Sequence, residues 1–410
     1  MPILNQNMFC CKEEQQRRKD ERNLFFIMLL LGTGSLLLFN AMITPVNFWT
    51  HTIPDFNVLF YISFAFNSQQ LVGAFVMMKW GNKWSINKRV WISLIVELFS
   101  LVLIPSIPTK ITNQTTALIL VLIVTVITSN AAGILQSTVY SMGGSLGEHF
   151  SVAAMSGAGG AGLVMEIIRI ITQAAMSRDD QIISGTIIYF ILAGLILISC
   201  LIAFEVARRI PRAHQTILLM HGSVVGEIVT IDIQQDPEEP VIEVLSSPGE
   251  VMKKIWLDCI SVFFVFFISL TLFPGVTNMV TSASFTDPDW FSIWNMSCFM
   301  VGDMIGRTLP RFVVLWGRNV NIAVIFIRLI FFPLFILQVK EILHNDFLLY
   351  STMVVFSVSN GYTSSVAMMN GPTQVEKKDQ PIAGTLMTVF LASGLFAGSL
   401  FALALNAILS

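Results

Sequence analysis

Two charged side chains, Asp303 and Arg307, stand four residues apart in the segment DMIGR, within an apolar stretch. If that stretch is helical, this spacing places both groups on one face. The carboxylate would then hold the guanidinium in a fixed geometry, from which it can donate hydrogen bonds to a polar solute. The same spacing suits a structural ion pair that locks this helix to a neighbour, and the residues alone leave both interpretations open.

Other polar groups also lie within apolar segments. Each buried charge costs roughly 2.5–3.5 kcal/mol on membrane-insertion scales, so such groups persist where they are paired or line a wet cavity. The uncharged members of this set are Asn40, Asn67, Gln69, Gln70, Asn130, Gln136, Ser359 and Asn360. Their number favours a protein that offers polar contacts at mid-membrane depth over a purely structural bundle.

Four further charges have two interpretations each. Glu166 and Arg169, three residues apart, form either a mutual structural salt bridge or part of a proton-linked site. Glu97, a lone acid in its segment, is either a proton carrier or a hydrogen-bond partner between helices. Arg328 either has a structural role, reaching a membrane surface or pairing with a distant acid, or belongs to the functional set.

No catalytic constellation is present in the sequence. The five histidines lie in loops or near the membrane interface, none has HExxH spacing, and there is no GxSxG motif. Five cysteines without paired spacing indicate neither a disulfide framework nor a zinc site. We therefore expect neither an enzyme nor a bound metal or cofactor.

The composition places these residues in a membrane. Apolar residues make up 54% of the 410 residues and charged residues 12%, with a net charge of −2 that offers no attraction to nucleic acid. Apolar stretches of about 20 residues predict an all-α polytopic membrane protein with about eleven spans. The predicted spans are 24–44, 57–79, 90–109, 116–138, 152–175, 184–204, 255–275, 289–309, 320–339, 346–369 and 381–409.

One long hydrophilic connection divides the spans into two groups. Residues 205–252 contain three arginines and an acidic run and predict a partly disordered cytoplasmic linker. We therefore expect a tail at 1–23, a six-helix bundle at 24–204 and a five-helix bundle at 253–410. This 6+5 arrangement is major-facilitator-like.

Basic residues predict the orientation. With the N-terminus inside, 18 Lys and Arg lie in cytoplasmic segments and 3 in segments on the opposite side. The sequon Asn113-Gln114-Thr115 then lies outside, where Asn113 can be glycosylated. The C-terminus would also be extracellular, and the absence of an obvious sorting signal favours the plasma membrane.

Small residues cluster in the segment MSGAGGAG at 155–162 and in the Gly394–Gly398 pair. Such residues let helix backbones approach closely, either as sliding surfaces or as static packing.

Eight segments in order resemble the equilibrative nucleoside transporter family. The resemblance runs from the first span to the C-terminus, leaving out mainly the tail and the linker. The segments are LGTGSLLLFN at 31–40, NAAGILQSTVYSMGG at 130–144, MSGAGGAG at 155–162, LFPGVT at 272–277, DMIGRTLP at 303–310, RLIFFPLF at 328–335, SNGYTSSVAMMNGP at 359–372 and AGTLMTVFLASGLFAG at 383–398.

The resemblance implies a substrate site. Gln136 fills the place of the family's substrate-contacting glutamine, and Asp303 with Arg307 fill its DxxGR motif. Phe39 and Asn40 stand where the family usually has Trp-Asn, and Ile43 would line the same wall. Met300 stands near the place where the family often has an asparagine. The two departures from the family pattern, Phe39 and Met300, bear on substrate selectivity and point towards nucleobases.

The resemblance also implies the activity. We expect a facilitative carrier of purine and pyrimidine nucleosides, extending to nucleobases, that works by alternating access without an obligate protein partner. Two alternatives are a major-facilitator-like carrier of sugars or organic anions and a non-transporting receptor or scaffold.

Overall fold

The chain is α-helical in the part that the computed structural model describes, which comprises residues 2–176, 181–222, 246–284 and 288–409. Short loops and 3-10 turns join fourteen α-helices within these ranges. In chain order the helices are α1 Pro2–Ile43, α2 Val46–Thr52, α3 Val58–Trp80, α4 Ile86–Lys110, α5 Gln114–Leu146, α6 Glu148–Ala175, α7 Ile182–Ala207, α8 Pro211–Gly222, α9 Pro248–Leu272, α10 Pro288–Thr308, α11 Arg318–Ile327, α12 Phe331–Val339, α13 Asp346–Thr373 and α14 Gln380–Leu409.

Within the described ranges, eight helical segments are long and apolar enough to cross a bilayer. The predicted spans at 57–79, 289–309 and 346–369 coincide with α3, α10 and α13, whose polar side chains lower their mean hydropathy. The all-α membrane fold is therefore confirmed, whereas the number of eleven crossings stays a prediction.

Side-chain caps fix where several helices begin. The side chains of Ser85, Asn113 and Asn345 each accept a hydrogen bond from a backbone N–H three residues further on. Ser247 and Glu250 form a reciprocal capping box at the start of α9. These contacts satisfy backbone donors that the first helical turn leaves unpaired.

The first helix includes most of the predicted tail at 1–23. Its charged part is rich in strong helix formers, and two i,i+4 ion pairs lie along it. Arg18 lies 2.7 Å from Glu14, and Arg17 lies 3.7 Å from Glu21. A single helix therefore continues from the polar segment into the apolar one.

The predicted span at 320–339 is interrupted. A 3-10 turn at Arg328–Ile330 separates α11 from α12. Pro333, within the first turn of α12, has no backbone N–H and clashes with the carbonyl four residues earlier, which disfavours a continuous α-helix there.

The segment between the two halves of the chain is partly helical. It begins with the end of α7 and contains α8, while residues 223–245 of the expected linker lie outside the described residues. α9 begins four residues before the expected end of the linker at 252.

Helix packing forms two groups that meet along a seam. α1 packs on α6 and α3 on α5, whereas α9 packs on α14 and α10 on α13. The groups meet where α14 contacts α3 and α5, and where α10 contacts α6. Large apolar side chains such as Phe99, Ile202 and Ile327 point outwards, as a lipid-facing surface requires.

One end of the molecule carries the basic connections at 79–89, 205–212, 311–318 and 377–378, and we call it the basic end. The two groups of helices are in close contact there. The Ser141 hydroxyl donates to the Pro381 carbonyl at 2.9 Å, and the Arg311 guanidinium lies 3.9 Å from the centre of the Phe25 ring. A Cβ added at Gly384 would lie 2.7 Å from the Cα of Ser141. The seam is therefore closed at the basic end.

At the opposite end, Asp346 holds the loop that precedes α10. Its carboxylate accepts three hydrogen bonds of 2.9 Å from Ser282, Ala283 and Ser284 that involve both oxygens. Partial burial alone would raise the pKa of Asp346, but these hydrogen bonds outweigh it, and the pKa lies below its usual value.

Candidate functional site

A central cavity lies along the seam between the two groups of helices. Its empty volume, including the space at its mouths, is about 730 Å³. Residues from α1, α3, α5 and α6 line one wall, and residues from α9, α10, α13 and α14 line the other. All six residues that the sequence suggested for a substrate site line it, namely Phe39, Asn40, Ile43, Gln136, Asp303 and Arg307.

The Asp303–Arg307 pair forms on one face of α10, as the four-residue spacing predicted. Arg307 Nε donates to Asp303 Oδ2 at 2.6 Å, and both side chains are buried. The other carboxylate oxygen accepts a hydrogen bond from Asn360 Nδ2 at 2.7 Å. The pair thus fixes the guanidinium and leaves Arg307 Nη1 without a hydrogen-bond partner among the described residues.

A second arginine, Arg328, is connected to this pair by a chain of hydrogen bonds. Arg328 Nη2 donates to the Ser269 hydroxyl at 2.7 Å, and that hydroxyl donates to Asn360 Oδ1 at 2.6 Å. Arg328 Nε also donates to the Ser359 hydroxyl at 3.1 Å. Arg328 does not line the cavity. Its hydrogen bonds orient Asn360, and Asn360 in turn orients Asp303. A chain of hydrogen bonds of this kind rigidifies the buried groups that it joins.

Amide side chains lie on the opposite wall. Gln70 Nε2 donates to Gln136 Oε1 at 3.0 Å, which pairs α3 with α5. Gln136 Nε2, Gln70 Oε1 and Asn67 Nδ2 are buried and have no hydrogen-bond partner in the described part of the chain. Unpaired buried polar atoms are costly. This wall therefore presents both donors and an acceptor that a bound solute can satisfy.

Aromatic rings complete the lining. Phe39 packs on Phe66 with centroids 4.9 Å apart, while Phe273 and Phe299 stack at 3.7 Å. The Phe266 ring lies 5.7 Å from the Arg307 guanidinium. Flat apolar surfaces beside a few fixed polar groups suit a planar ring that carries hydrogen-bonding edges.

Glycines of α6 make room for the arginine. A Cβ added at Gly159 would lie 2.7 Å from Arg307 Cδ, and one added at Gly162 would overlap Met300 Sδ. Gly157 faces the backbone of α1, where an added Cβ would overlap the Leu29 carbonyl. The glycine-rich segment therefore lets α6 contact α1 and α10 at backbone distance.

The remaining charged candidates lie away from the central cavity. Glu166 accepts a hydrogen bond from the Ser297 hydroxyl of α10 at 3.2 Å, and Arg169 donates to Asn47 and Gln173. Glu97 is fully buried in α4, and neither carboxylate oxygen has a hydrogen-bond partner among the described residues. The structure thus places Glu166 at a contact across the seam and Glu97 inside one group of helices.

Several lining residues were not predicted from the sequence. Tyr140 lies one helical turn after Gln136, so its position follows the i,i+4 rule. Phe266 and Ser269 on α9 carry no comparable signal, because serine and phenylalanine are common in apolar helices.

Within the described ranges, no group of three His, Cys, Asp or Glu side chains is arranged to hold a metal ion.

Comparison with known proteins identifies the family. Residues 121–407 match the family model described as nucleoside transporter. "Equilibrative nucleotide transporter 1" of Arabidopsis thaliana is 24% identical over 385 residues, which cover 91% of this chain and 83% of the relative. "Equilibrative nucleoside transporter 2" of Mus musculus is 34% identical over 201 residues, which cover 44% of this chain and 43% of the relative.

A solved structure shares the fold. The major facilitator superfamily proton:xylose symporter XylE, bound to 6-bromo-6-deoxy-D-glucose, superposes with a TM-score of 0.63 at 12% identity. The match covers 95% of this chain and 89% of the symporter, and it confirms the expected major-facilitator-like architecture. Because the family model spans well over half of the sequence, the chain belongs to the nucleoside transporter family.

Proposed function

We propose that this multi-pass membrane protein is an equilibrative transporter of purine and pyrimidine nucleosides. The observation that carries the proposal is the central cavity, in which a fixed guanidinium faces unpaired amide groups across the seam. A nucleoside offers matching chemistry, because its base has donor and acceptor edges and its ribose has hydroxyl groups.

Each wall has a distinct role in this proposal. Gln136 reads a base edge, since an amide both donates and accepts hydrogen bonds. Arg307 donates to an acceptor on the ribose or base, while Asp303 holds the guanidinium in place and accepts from hydroxyl groups. Phe39 and the rings of the opposite wall pack on the faces of the base.

Transport would follow from motion at the seam. The groups of helices at 24–204 and 253–410 rock about the cavity, which opens it to one membrane side and then the other. The closed contacts at the basic end, including Ser141 with Pro381, correspond to a cytoplasmic gate in this arrangement. No energy source enters the cycle, so net flux follows the nucleoside gradient.

The orientation and location belong to the same proposal. The basic end is cytoplasmic by the positive-inside rule, which places Asn113 and the C-terminus outside the cell. Asn113 is exposed at the start of α5, so its side chain is accessible for attachment of a glycan. We assign the protein to the plasma membrane, with nucleosides as principal substrates and nucleobases as a second class.

Uptake of labelled adenosine or inosine by transport-deficient cells tests the proposal. We expect uptake with the unchanged chain and a loss with Arg307→Ala or Gln136→Ala at equal surface amounts. Arg318→Ala and Gln338→Ala are matched controls, because neither residue lines the central cavity. Normal uptake by both cavity variants would refute the site, and uptake of sugars or organic anions in place of nucleosides would refute the substrate class.

A further inference from the structure

A second cavity lies beside the central one, towards the end opposite the basic end. Its empty volume, including open space at its mouth, is about 540 Å³, and residues at the start of α3, the end of α9, the following turn and α14 line it. The polar residues of its lining are Asn57, Ser63, Asn278 and Ser399. We call it the outer cavity.

The outer cavity adjoins the central one. Leu270 and Pro274 line both cavities, so the two cavities share part of their walls. The seam is closed at the basic end by the contact between Ser141 and Pro381. The outer cavity therefore lies next to the central site, on the side away from the basic end.

Two polar atoms of the outer cavity lack partners. Ser63 is 8% exposed, and its hydroxyl has no hydrogen-bond partner among the described residues. Serines in helices commonly donate to the carbonyl four residues earlier, as Ser100 does to Val96 at 2.9 Å. The side-chain oxygen of Asn278, on the facing turn, is buried and likewise lacks a partner in the described part of the chain.

These atoms define a small polar subsite. A hydroxyl that can donate and an amide oxygen that can accept lie in one cavity, and leaving such groups unpaired is unfavourable. The Phe60 ring lies beside them, held against Gly275, where an added Cβ would lie 2.7 Å from the ring. Once the side chains that cover these atoms turn aside, a solute with a flat ring and hydroxyl groups would satisfy both of them and pack on Phe60.

We propose that the outer cavity is a second nucleoside subsite, distinct from the central site, that a nucleoside occupies on its way to the central cavity. The inference rests on the proposed function, because that function supplies the nucleoside. The subsite binds without Arg307, since none of its lining residues belongs to the Asp303–Arg307 network.

Protection of an introduced thiol tests this subsite. Ser63→Cys places a thiol in the outer cavity, and a charged, membrane-impermeant thiol reagent is added from outside. Cys200 and Cys259 are buried, and the chain without the new thiol gives the background labelling. Ser399→Cys, on the same cavity, serves as the second reporter, which keeps the test valid if one variant fails to reach the membrane.

The decisive comparison uses Ser63→Cys with and without Arg307→Ala. At a nucleoside concentration about ten times that for half protection, simple binding slows labelling about tenfold. We expect this slowing in both backgrounds. Protection that disappears with Arg307→Ala, or that is absent from both reporters, would overturn the subsite and leave the outer cavity as a filled or lipid-accessible space.

Uptake separates this inference from the proposed function. Uptake by the unlabelled chain together with unprotected thiols overturns the outer subsite alone. Protection without uptake overturns the transport function and retains a nucleoside-binding cavity.

Discussion

The most direct perturbation of the central site is Asp303→Asn, which preserves shape and removes charge. Both oxygens of Asp303 accept hydrogen bonds, from Arg307 at 2.6 Å and from Asn360 at 2.7 Å. An amide has one acceptor and one donor end. Whichever way the new side chain turns, its NH₂ group therefore faces a donor, and at least one of the two contacts is lost.

The expected effect follows from the strength of the lost contact. A hydrogen bond to a charged group contributes roughly 1.5–3 kcal/mol. If that energy holds Arg307 in its binding geometry, its loss weakens nucleoside binding by about 10- to 150-fold, at 1.36 kcal/mol for each factor of ten. The assay is equilibrium binding of labelled nucleoside to purified protein, together with uptake KM in cells.

The same bundle contains a matched control. Asp258 lies 2.7 Å from Arg318, is also buried, and does not line the central cavity. Asp258→Asn should lower thermal stability and leave nucleoside affinity unchanged in the folded fraction. Normal affinity in Asp303→Asn, or an equal loss in Asp258→Asn, would refute the assignment of Asp303 as the residue that positions Arg307.

Three further predictions concern other parts of the molecule. Gly159→Ala should displace Arg307, because the new Cβ would lie 2.7 Å from its Cδ, and should raise uptake KM at normal surface amounts; an unchanged KM would contradict this. Thr115→Ala and Asn113→Gln should each remove a glycan, seen as faster gel migration, and unchanged migration of both variants would contradict an extracellular sequon. Asn113→Gln should in addition lower the thermal midpoint, because the lost helix cap contributes about 0.5–2 kcal/mol. The pKa of Asp346 is lowered in the folded state, so its contribution to stability is present above the unfolded pKa and is lost as pH falls through the folded one. Asp346→Asn should therefore reduce the difference between thermal midpoints at pH 7 and at pH 3, and an unchanged difference would contradict the hydrogen-bonded loop.

The sequence predicts contacts within one helix better than contacts between helices. The Asp303–Arg307 contact follows from helical spacing alone. The Asn360 contact with Asp303 joins α13 to α10, and the Gln70 contact with Gln136 joins α3 to α5. Such contacts depend on how each helix is rotated about its axis, which apolar periodicity does not specify when lipid and neighbouring helices are both apolar.

Helix interruptions are partly visible in the sequence. Pro333 signals a break between α11 and α12, but a window of about 20 residues averages over it and yields one continuous span. Hydropathy also underestimates α3, α10 and α13, because the polar side chains that build the site make their helices less apolar. The residues proposed to bind the substrate therefore weaken the signal by which membrane helices are recognised.

Arg307 joins the two groups of helices through its main chain as well as through its place in the cavity. Its carbonyl accepts a hydrogen bond from the Ser156 hydroxyl of α6 at 3.2 Å, on the opposite side of the seam. A ligand that binds the guanidinium, as proposed, would therefore act on the same residue that bridges the two groups of helices. No side-chain replacement at position 307 deletes that carbonyl. Changing Arg307 therefore tests ligand recognition by the guanidinium, whereas changing Ser156 tests the contact between the two groups of helices.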